Sequence, residues 1–288
     1  SITIGVDSDT SLTLAYIHQD DNNTPIYGVP YVLGQVNNGP LPGVDDSDYF
    51  GIVNLDKQKT KVDRLTATFR HAFSDTVSVR NLTRWQRVHQ YSQTSAPQGV
   101  FCLANGLQPI GANATSTVGI PCPAGQNTPG TFYPSGPRGL VRDQVNDLLH
   151  NQTDLTILSG AKGGLFNTLV IGASYSQEDY SIENAQLLRN PGGALPNPVL
   201  PPISLSNPNT VWTGPVNYVR TGNSYGDTRN WAIYAFDTLE ISPMFEINAG
   251  VSYENARTVF RADTVTAPAT GAVYTRGADQ ISDENLFS

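Results

Sequence analysis

Cys102 and Cys122 are the only cysteines of the chain, and both fall within one Pro/Gly/Asn-rich stretch. The pair reads as a disulfide closing a surface loop in an oxidising compartment, with two unrelated free thiols as the alternative. On the chain-entropy account such a ring stabilises its loop by roughly 3 kcal/mol. His18, His71, His89 and His150 lie far apart without ligand spacing, so no metal site is expected. Asp45, Asp46 and Asp48 form a small acidic cluster that reads as surface acidity, calcium being the alternative. The glycine-rich turn 160–164 lacks the Lys-Ser/Thr pair of a phosphate loop, and the Asn-x-Thr triplets at Asn22, Asn81, Asn113 and Asn151 read as chance. The sequence has no nucleophile elbow, no His-Glu-x-x-His and no plausible triad, so an enzyme is not expected.

Composition narrows the elements that could carry any site. The 288 residues are 39% hydrophobic and only 15% charged, below the about 25% usual for soluble domains. No run reaches the roughly 18 apolar residues of a membrane-spanning helix. Twenty prolines and 26 glycines argue against long helices. A net charge of −8 argues against a dedicated nucleic-acid binder. Ser1 opens without a basic start or apolar core, so any signal peptide is expected to lie outside this piece.

Seven segments read as extended: 9–19, 57–73, 76–92, 143–159, 165–182, 226–241 and 244–262. All are free of proline, which cannot donate a ladder hydrogen bond. Several alternate with period two. Phe245, Ile247, Ala249, Val251 and Tyr253 share one face and Glu246, Asn248, Gly250, Ser252 and Glu254 the other. Leu65, Ala67 and Phe69 oppose Arg64, Thr66, Thr68 and Arg70. Leu169, Ile171, Ala173 and Tyr175 oppose Gly172, Ser174, Ser176 and Glu178, with Val170 out of phase; Leu12, Leu14 and Tyr16 share a face. Segment 226–241 is apolar on both sides and its faces stay unassigned.

The connections alternate in length. Short turns at Ser74-Asp75, Gly160–Gly164 and Ser242-Pro243 are separated by polar tracts at 20–56, 93–142, 183–225 and 263–281. In a meander this puts all short turns at one end and all long loops at the other. The expected fold is therefore all-β: an antiparallel up-and-down meander of about seven full strands, forming part of a transmembrane outer-membrane β-barrel. Tyr16, Trp85, Tyr175 and Tyr253 suit its aromatic girdles, ordinary strand packing being the alternative for each. A soluble β-sandwich is the main alternative, but loops of about 40–50 residues are long against a median of about 4–6 in compact domains. Seven strands, with an eighth starting at 285–288, do not close an even-numbered barrel. Residues 1–288 are accordingly expected to be a barrel fragment, with sequence missing at both ends.

Several stretches resemble the barrel of TonB-dependent siderophore receptors. They are Leu12–Gln19 with Asn23-Thr24-Pro25 and Tyr27–Pro30, Tyr49-Phe50-Gly51, Val77–Trp85, Asn151–Leu155 and Tyr234–Ser242. Within that family the similarity is to the catecholate type. The resemblance implies a 22-stranded, plugged barrel in the outer membrane of a Gram-negative bacterium, with the N-terminal plug domain and the remaining barrel strands expected outside residues 1–288. It also implies a ferric siderophore as transported ligand, no resident cofactor, and the TonB-ExbB-ExbD complex as partner through the plug, with outer-membrane lipid around the wall. A ferric tris-catecholate is a large anion with aromatic faces, which calls for arginines and aromatic rings. Arginine outnumbers lysine 13 to 4. The candidates are Arg84 and Arg87 below the second loop, Phe132, Tyr133, Arg138 and Arg142 near its end, and Trp212, Tyr218 and Arg220 in the third. Solvated loop residues or lumen-wall ion pairs are the competing reading. A passive porin, a surface adhesin and a soluble carbohydrate-binding β-protein are the alternative functions.

Overall fold

The computed structural model describes residues 1–135, 139–208, 210–266 and 273–288. In chain order the strands begin with β1 (Ile2–Ile4), β2 (Thr10–Asn23), β3 (Tyr31–Val32), β4 (Gly39–Pro40), β5 (Lys57–Ser74) and β6 (Val77–Thr94). They continue with β7 (Gly99–Cys102), β8 (Leu107–Gly111), β9 (Gly119–Pro121), β10 (Thr131–Pro134), β11 (Leu140–Gly160) and β12 (Phe166–Gln186). The last are β13 (Ile203–Ser204), β14 (Val219–Ser242), β15 (Phe245–Thr266), β16 (Val273–Thr275) and β17 (Gln280–Phe287). A ten-stranded antiparallel sheet runs β1-β2-β5-β6-β11-β12-β14-β15, with β16 and β17 both pairing β15. It is an open wall, not a closed barrel. All seven expected segments are present within it, six of them extended by two to seven residues at their loop ends, and β17 starts earlier than expected.

The register fixes the tilt. Thr10 faces His71 while β5 runs on to Ser74; Ile157 faces Val77 while β11 runs on to Gly160; Phe166 faces Glu240 while β14 runs on to Ser242. Each successive turn thus lies two or three residues further along the strands. At about 3.3 Å per residue and about 4.8 Å between strands, turns held at one level require a strand tilt of roughly 35–45°, that of an outer-membrane barrel.

Odd-numbered positions of β5, β6, β11, β12, β14 and β15 form one face. From the turns upward it carries Phe73 to Leu65, Val77 to Trp85, Ile157 to Leu149, Leu169 to Tyr175, Ile241 to Trp231 and Phe245 to Tyr253. Most of these large side chains are exposed, as a lipid face requires. Apart from Asp237, charges begin above them at Asp63, Arg87, Asp147, Asp179, Arg229 and Arg257. About ten residues per strand at this tilt span about 25 Å, the height of an outer-membrane apolar band. Tyr16, Trp85, Tyr175 and Tyr253 sit at its upper rim, where Trp231 joins Tyr253 at 5.4 Å between rings. Polar groups inside the band bond to one another, so their place in an apolar surface is compensated. Asn81 and Thr83 lie across from Thr153 and Asn151 and exchange amide and hydroxyl hydrogen bonds, while Asn167 donates to Asp237 at 2.6 Å.

Even-numbered positions form the polar, lumen-side face. Here β14 is apolar on both sides for a local reason. Tyr234 and Phe236 lie on the lumen side directly over Gly172 and Gly250, where a Cβ would meet their rings at 2.3 Å. The out-of-phase Val170 is the cross-strand neighbour of Phe236. Tyr234 also donates to Asp154, which pairs with Arg80 at 3.2 Å.

The larger buried cluster is not in the wall, whose own buried cluster is Val141 and Ala185 with Leu187 at the loop ends of β11 and β12. The described residues of loops 24–56, 95–139 and 187–218 interlock into a cap whose centre is Leu41, Phe50, Phe132 and Leu205. Phe101 stacks on Phe132 at 4.4 Å, and Phe50 meets both edge-on. β7, β10 and β13 make a three-stranded sheet that joins the second loop to the third. Ile52 bridges Thr210, joining the first loop to the third. Cys102 and Cys122 form the expected disulfide, with Cys102 fully buried.

Candidate functional site

Beneath the first loop, at the loop end of the lumen-side face, lies a cavity of about 480 Å³. Pro25, Ile26 and Tyr27 roof it; Gln58 of β5, Gln90, Ser92 and Thr94 of β6, and Arg142 and Gln144 of β11 floor it. The register builds this floor in rows, with Gln58, Ser92 and Arg142 in one and Gln90 and Gln144 in the next. The Gln144 amide donates to Gln90. The Arg142 guanidinium is exposed and makes no ion pair among the described residues. The lining therefore offers many neutral donors and acceptors, one fixed positive charge and no carboxylate. That set recognises an anionic, oxygen-rich ligand.

The residues expected from sequence do not converge on one site. Arg142 lines the cavity. Arg84 is on the same face further down, half-buried, its Nε donating to Thr66 Oγ1 at 3.3 Å. Arg87 is on the opposite, outer face, paired with Asp147 at 3.4 Å, so it cannot reach a lumen ligand. Phe132 is fully buried in the cap, closed to any ligand by Phe50 and Phe101, and its role is packing. Tyr133 is half-buried in the same sheet, its hydroxyl accepting from the Thr128 N–H at 3.1 Å. Arg138 lies outside the described residues. Trp212 clamps the third loop to the first: its backbone N–H donates to Asn54 Oδ1 at 2.9 Å and its indole N–H to the Pro215 carbonyl at 3.1 Å. Tyr218 and Arg220 both engage Glu183 on the outer face, with the Arg220 guanidinium 6.0 Å from the Tyr274 ring. Burial, and then the hydrogen bond to Glu183, push the Tyr218 phenol above its ordinary range.

Sequence reasoning missed Gln58, Gln90, Ser92, Gln144 and Tyr27. The signal was available in part: continuing the period-two alternation of Arg64, Thr66 and Thr68 upward lands on Gln58, and β6 and β11 continue likewise.

Comparison with known proteins follows the same lines. The family model described as TonB dependent receptor-like, beta-barrel, matches residues 3–284. The Catecholate siderophore receptor Fiu of Escherichia coli K12 is 30% identical over 281 residues, covering 93% of this chain and 32% of that protein. The chain thus spans about a third of the length of the curated relatives it matches. The crystal structure of the ferric-catecholate import receptor Fiu from E. coli K12, closed form, superposes with a TM-score of 0.72 at 23% identity over 99% of this chain and 38% of that one. That of the siderophore receptor PiuA from Acinetobacter baumannii gives 0.67 at 16% identity, covering 99% of this chain and 38% of its own. At these identities the two structures establish the fold alone.

Proposed function

The chain belongs to the TonB-dependent receptor-like β-barrel family, and from that premise we propose that it forms about a third of the wall, and the loop cap, of a receptor that takes up an anionic ferric siderophore, catecholate in type. Members of this family are transporters and receptors, not enzymes, and reside in the outer membrane of Gram-negative bacteria. In this reading the other staves and a plug domain complete the barrel. TonB-ExbB-ExbD supplies energy through the plug, and lipid surrounds the odd-numbered face.

The observation that carries the proposal is the mouth cavity: one guanidinium with no ion pair among the described residues, set among amides and hydroxyls on the lumen side and under the cap. A ferric tris-catecholate presents negative charge and aromatic faces, for which Arg142 and the Tyr27 ring are suitable partners. The catecholate specificity draws on the curated relatives' names and on this chemistry together. The test is uptake of radioactive iron as a ferric catecholate by iron-starved cells, with and without TonB. The expected result is uptake that needs both TonB and this receptor and is weakened by Arg142→Ala. Uptake that persists without TonB, or conductance in a planar bilayer with no energy source, overturns it in favour of a passive pore.

A further inference from the structure

The lumen-side face divides by charge. Across β5, β6 and β11 it carries Arg64, Arg70, Arg80, Arg84 and Arg142 against the single carboxylate of Asp154. Across β12, β14 and β15 the same face carries Glu178, Glu240, Glu246 and Glu254 and no arginine or lysine. Neighbouring strands of one wall thus hold a basic panel and an acidic panel edge to edge. Asp154 neutralises Arg80 alone. Arg64 and Arg84 bond only to neutral groups, Gln86 Oε1 at 2.6 Å and Thr66 Oγ1 at 3.3 Å. Arg70 and Arg142 make no ion pair among the described residues.

These groups are spread along the strand direction. Arg142 stands in the row of Gln58, six positions above Arg64 on β5, a rise of roughly 20 Å along the strand. Gln144 and Gln90 fill part of that interval. Arg84 is one strand across from Arg64 and two positions down. Arg70 lies four positions below the Arg84 row, near the turns. A guanidinium on a flexible stem reaches several ångströms, so an anion leaving Arg64 comes under Arg84 before it is fully released, while the longer steps from Arg142 and to Arg70 are spanned by the width of a large chelate and the neutral amides and hydroxyls between.

We propose that Arg64, Arg84 and Arg70 form a descending track on β5 and β6 along which the anionic ferric chelate moves from the Arg142 cavity toward the periplasmic end, while the acidic panel of β12, β14 and β15 keeps it to that side. The inference rests on the receptor function proposed above and adds the route. A cleft lined by one sign of charge raises the local concentration and transfer rate of an opposite charge, by tenfold or more in favourable cases. The rival occupant of the same panel is a protein segment of complementary charge.

The test uses the full-length receptor in outer membranes and separates binding from transport. Arg64→Gln/Arg70→Gln is compared with Glu246→Gln from the acidic panel. Equilibrium binding of the labelled ferric catecholate is read in de-energised cells, and uptake at saturating ligand in energised ones. The expected result is binding within about twofold of the unsubstituted receptor, saturated uptake reduced about tenfold by the double arginine substitution, and no reduction from Glu246→Gln. Arg64→Lys/Arg70→Lys, which keeps the charge, restores most of the uptake. Should the double glutamine variant fail to fold, Arg70→Gln alone, at an exposed position, carries the test with a reduction of about threefold. Unchanged uptake overturns the track, as does binding lost in step with uptake. Ligand-free ion leakage in bilayers on substitution of either panel overturns it in favour of a docked protein segment. No uptake by the unsubstituted receptor removes the receptor function itself, an outcome distinct from failure of the track alone.

Discussion

Phe132→Ala should dismantle the cap and leave the wall standing. The ring is fully buried, stacked on Phe101 at 4.4 Å and edge-on to Phe50 at 6.3 Å. Truncating such a residue costs about 3–5 kcal/mol, because the lost transfer energy is joined by a cavity that the surroundings only partly refill. Leu41, Phe50 and Leu205 share that centre, with Val29, Val32, Val44, Phe101, Leu103 and Ile203 packed around it. The four buried side chains contribute roughly 6–12 kcal/mol before chain entropy is subtracted, so the loss is a large part of what this centre supplies. None of the cluster comes from the long wall strands, whose ladders are untouched. Limited proteolysis of the receptor in outer membranes reads the effect. Cleavage within 24–56, 95–139 and 187–218 should accelerate at least a hundredfold, since the open population follows the opening free energy. The heat-modifiable gel mobility of the barrel should not change. Phe132→Leu, which keeps most of the volume, should lose no more than about 1.5 kcal/mol. If Phe132→Ala left protection intact while abolishing ligand binding, the ring would be a ligand contact and the packing argument would be wrong.

Other perturbations test other parts of the fold. Reducing the Cys102–Cys122 bridge, which closes a 20-residue separation, should destabilise the second loop by roughly 3 kcal/mol, seen as faster cleavage there than in the oxidised protein. Ile171→Lys, on the outer face near mid-height of the apolar band, should cost about 2–4 kcal/mol in denaturant unfolding from bilayers, whereas Ser174→Lys, on the lumen side of the same strand, should cost far less; equal costs would contradict the assignment of faces. Tyr49 is half-buried and donates to Asp56 at 2.9 Å; burial foremost, then that bond, raise its phenol above the ordinary value. A raised acid contributes stability that is intact below its unfolded value near pH 10 and is lost as pH climbs toward the folded one. Cap protection should therefore be level from pH 7 to 9 and fall above 10, and Tyr49→Phe should blunt that fall.

The wall was legible because its physics is local. Period-two alternation, the absence of proline and the alternation of short and long connections each constrain the backbone within a few residues. The cap was not, because its strands are two to five residues long and its centre gathers positions as distant as Leu41 and Leu205, which only tertiary packing brings together. Phe132 and Tyr133 read as ligand contacts by standing near arginines in a long loop; nothing local distinguishes an aromatic residue that faces solvent from one that closes a core. The misplacement of Arg87 was avoidable. Arg84 and Arg87 are three apart on one strand, and odd spacing puts them on opposite faces. Segment 226–241 looked apolar on both sides because Tyr234 and Phe236 cover glycines on neighbouring strands, which no single-strand pattern reveals.

The cap and the wall also constrain each other. A loop can swing open alone only if no other loop holds it, and here each is held twice. The first meets the third through the Ile52–Thr210 bridge and the reciprocal hydrogen bonds of Asn54 with the Trp212 backbone. The second meets the third through the β10–β13 pairing and both others through the shared aromatic cluster. Separating any one loop exposes part of that cluster as well as breaking hydrogen bonds worth about 0.5–1.5 kcal/mol each. Moving all three together exposes none of it. The least costly motion over the Arg142 cavity is therefore displacement of the whole cap about the loop bases. The cavity floor, built on β5, β6 and β11, stays in place while its roof, residues 25–27, travels with the cap. For the ligand proposed above, recognition then divides unequally: charge is fixed to the wall and does not depend on the cap's position, whereas the enclosing contact of Tyr27 exists only when the cap is down.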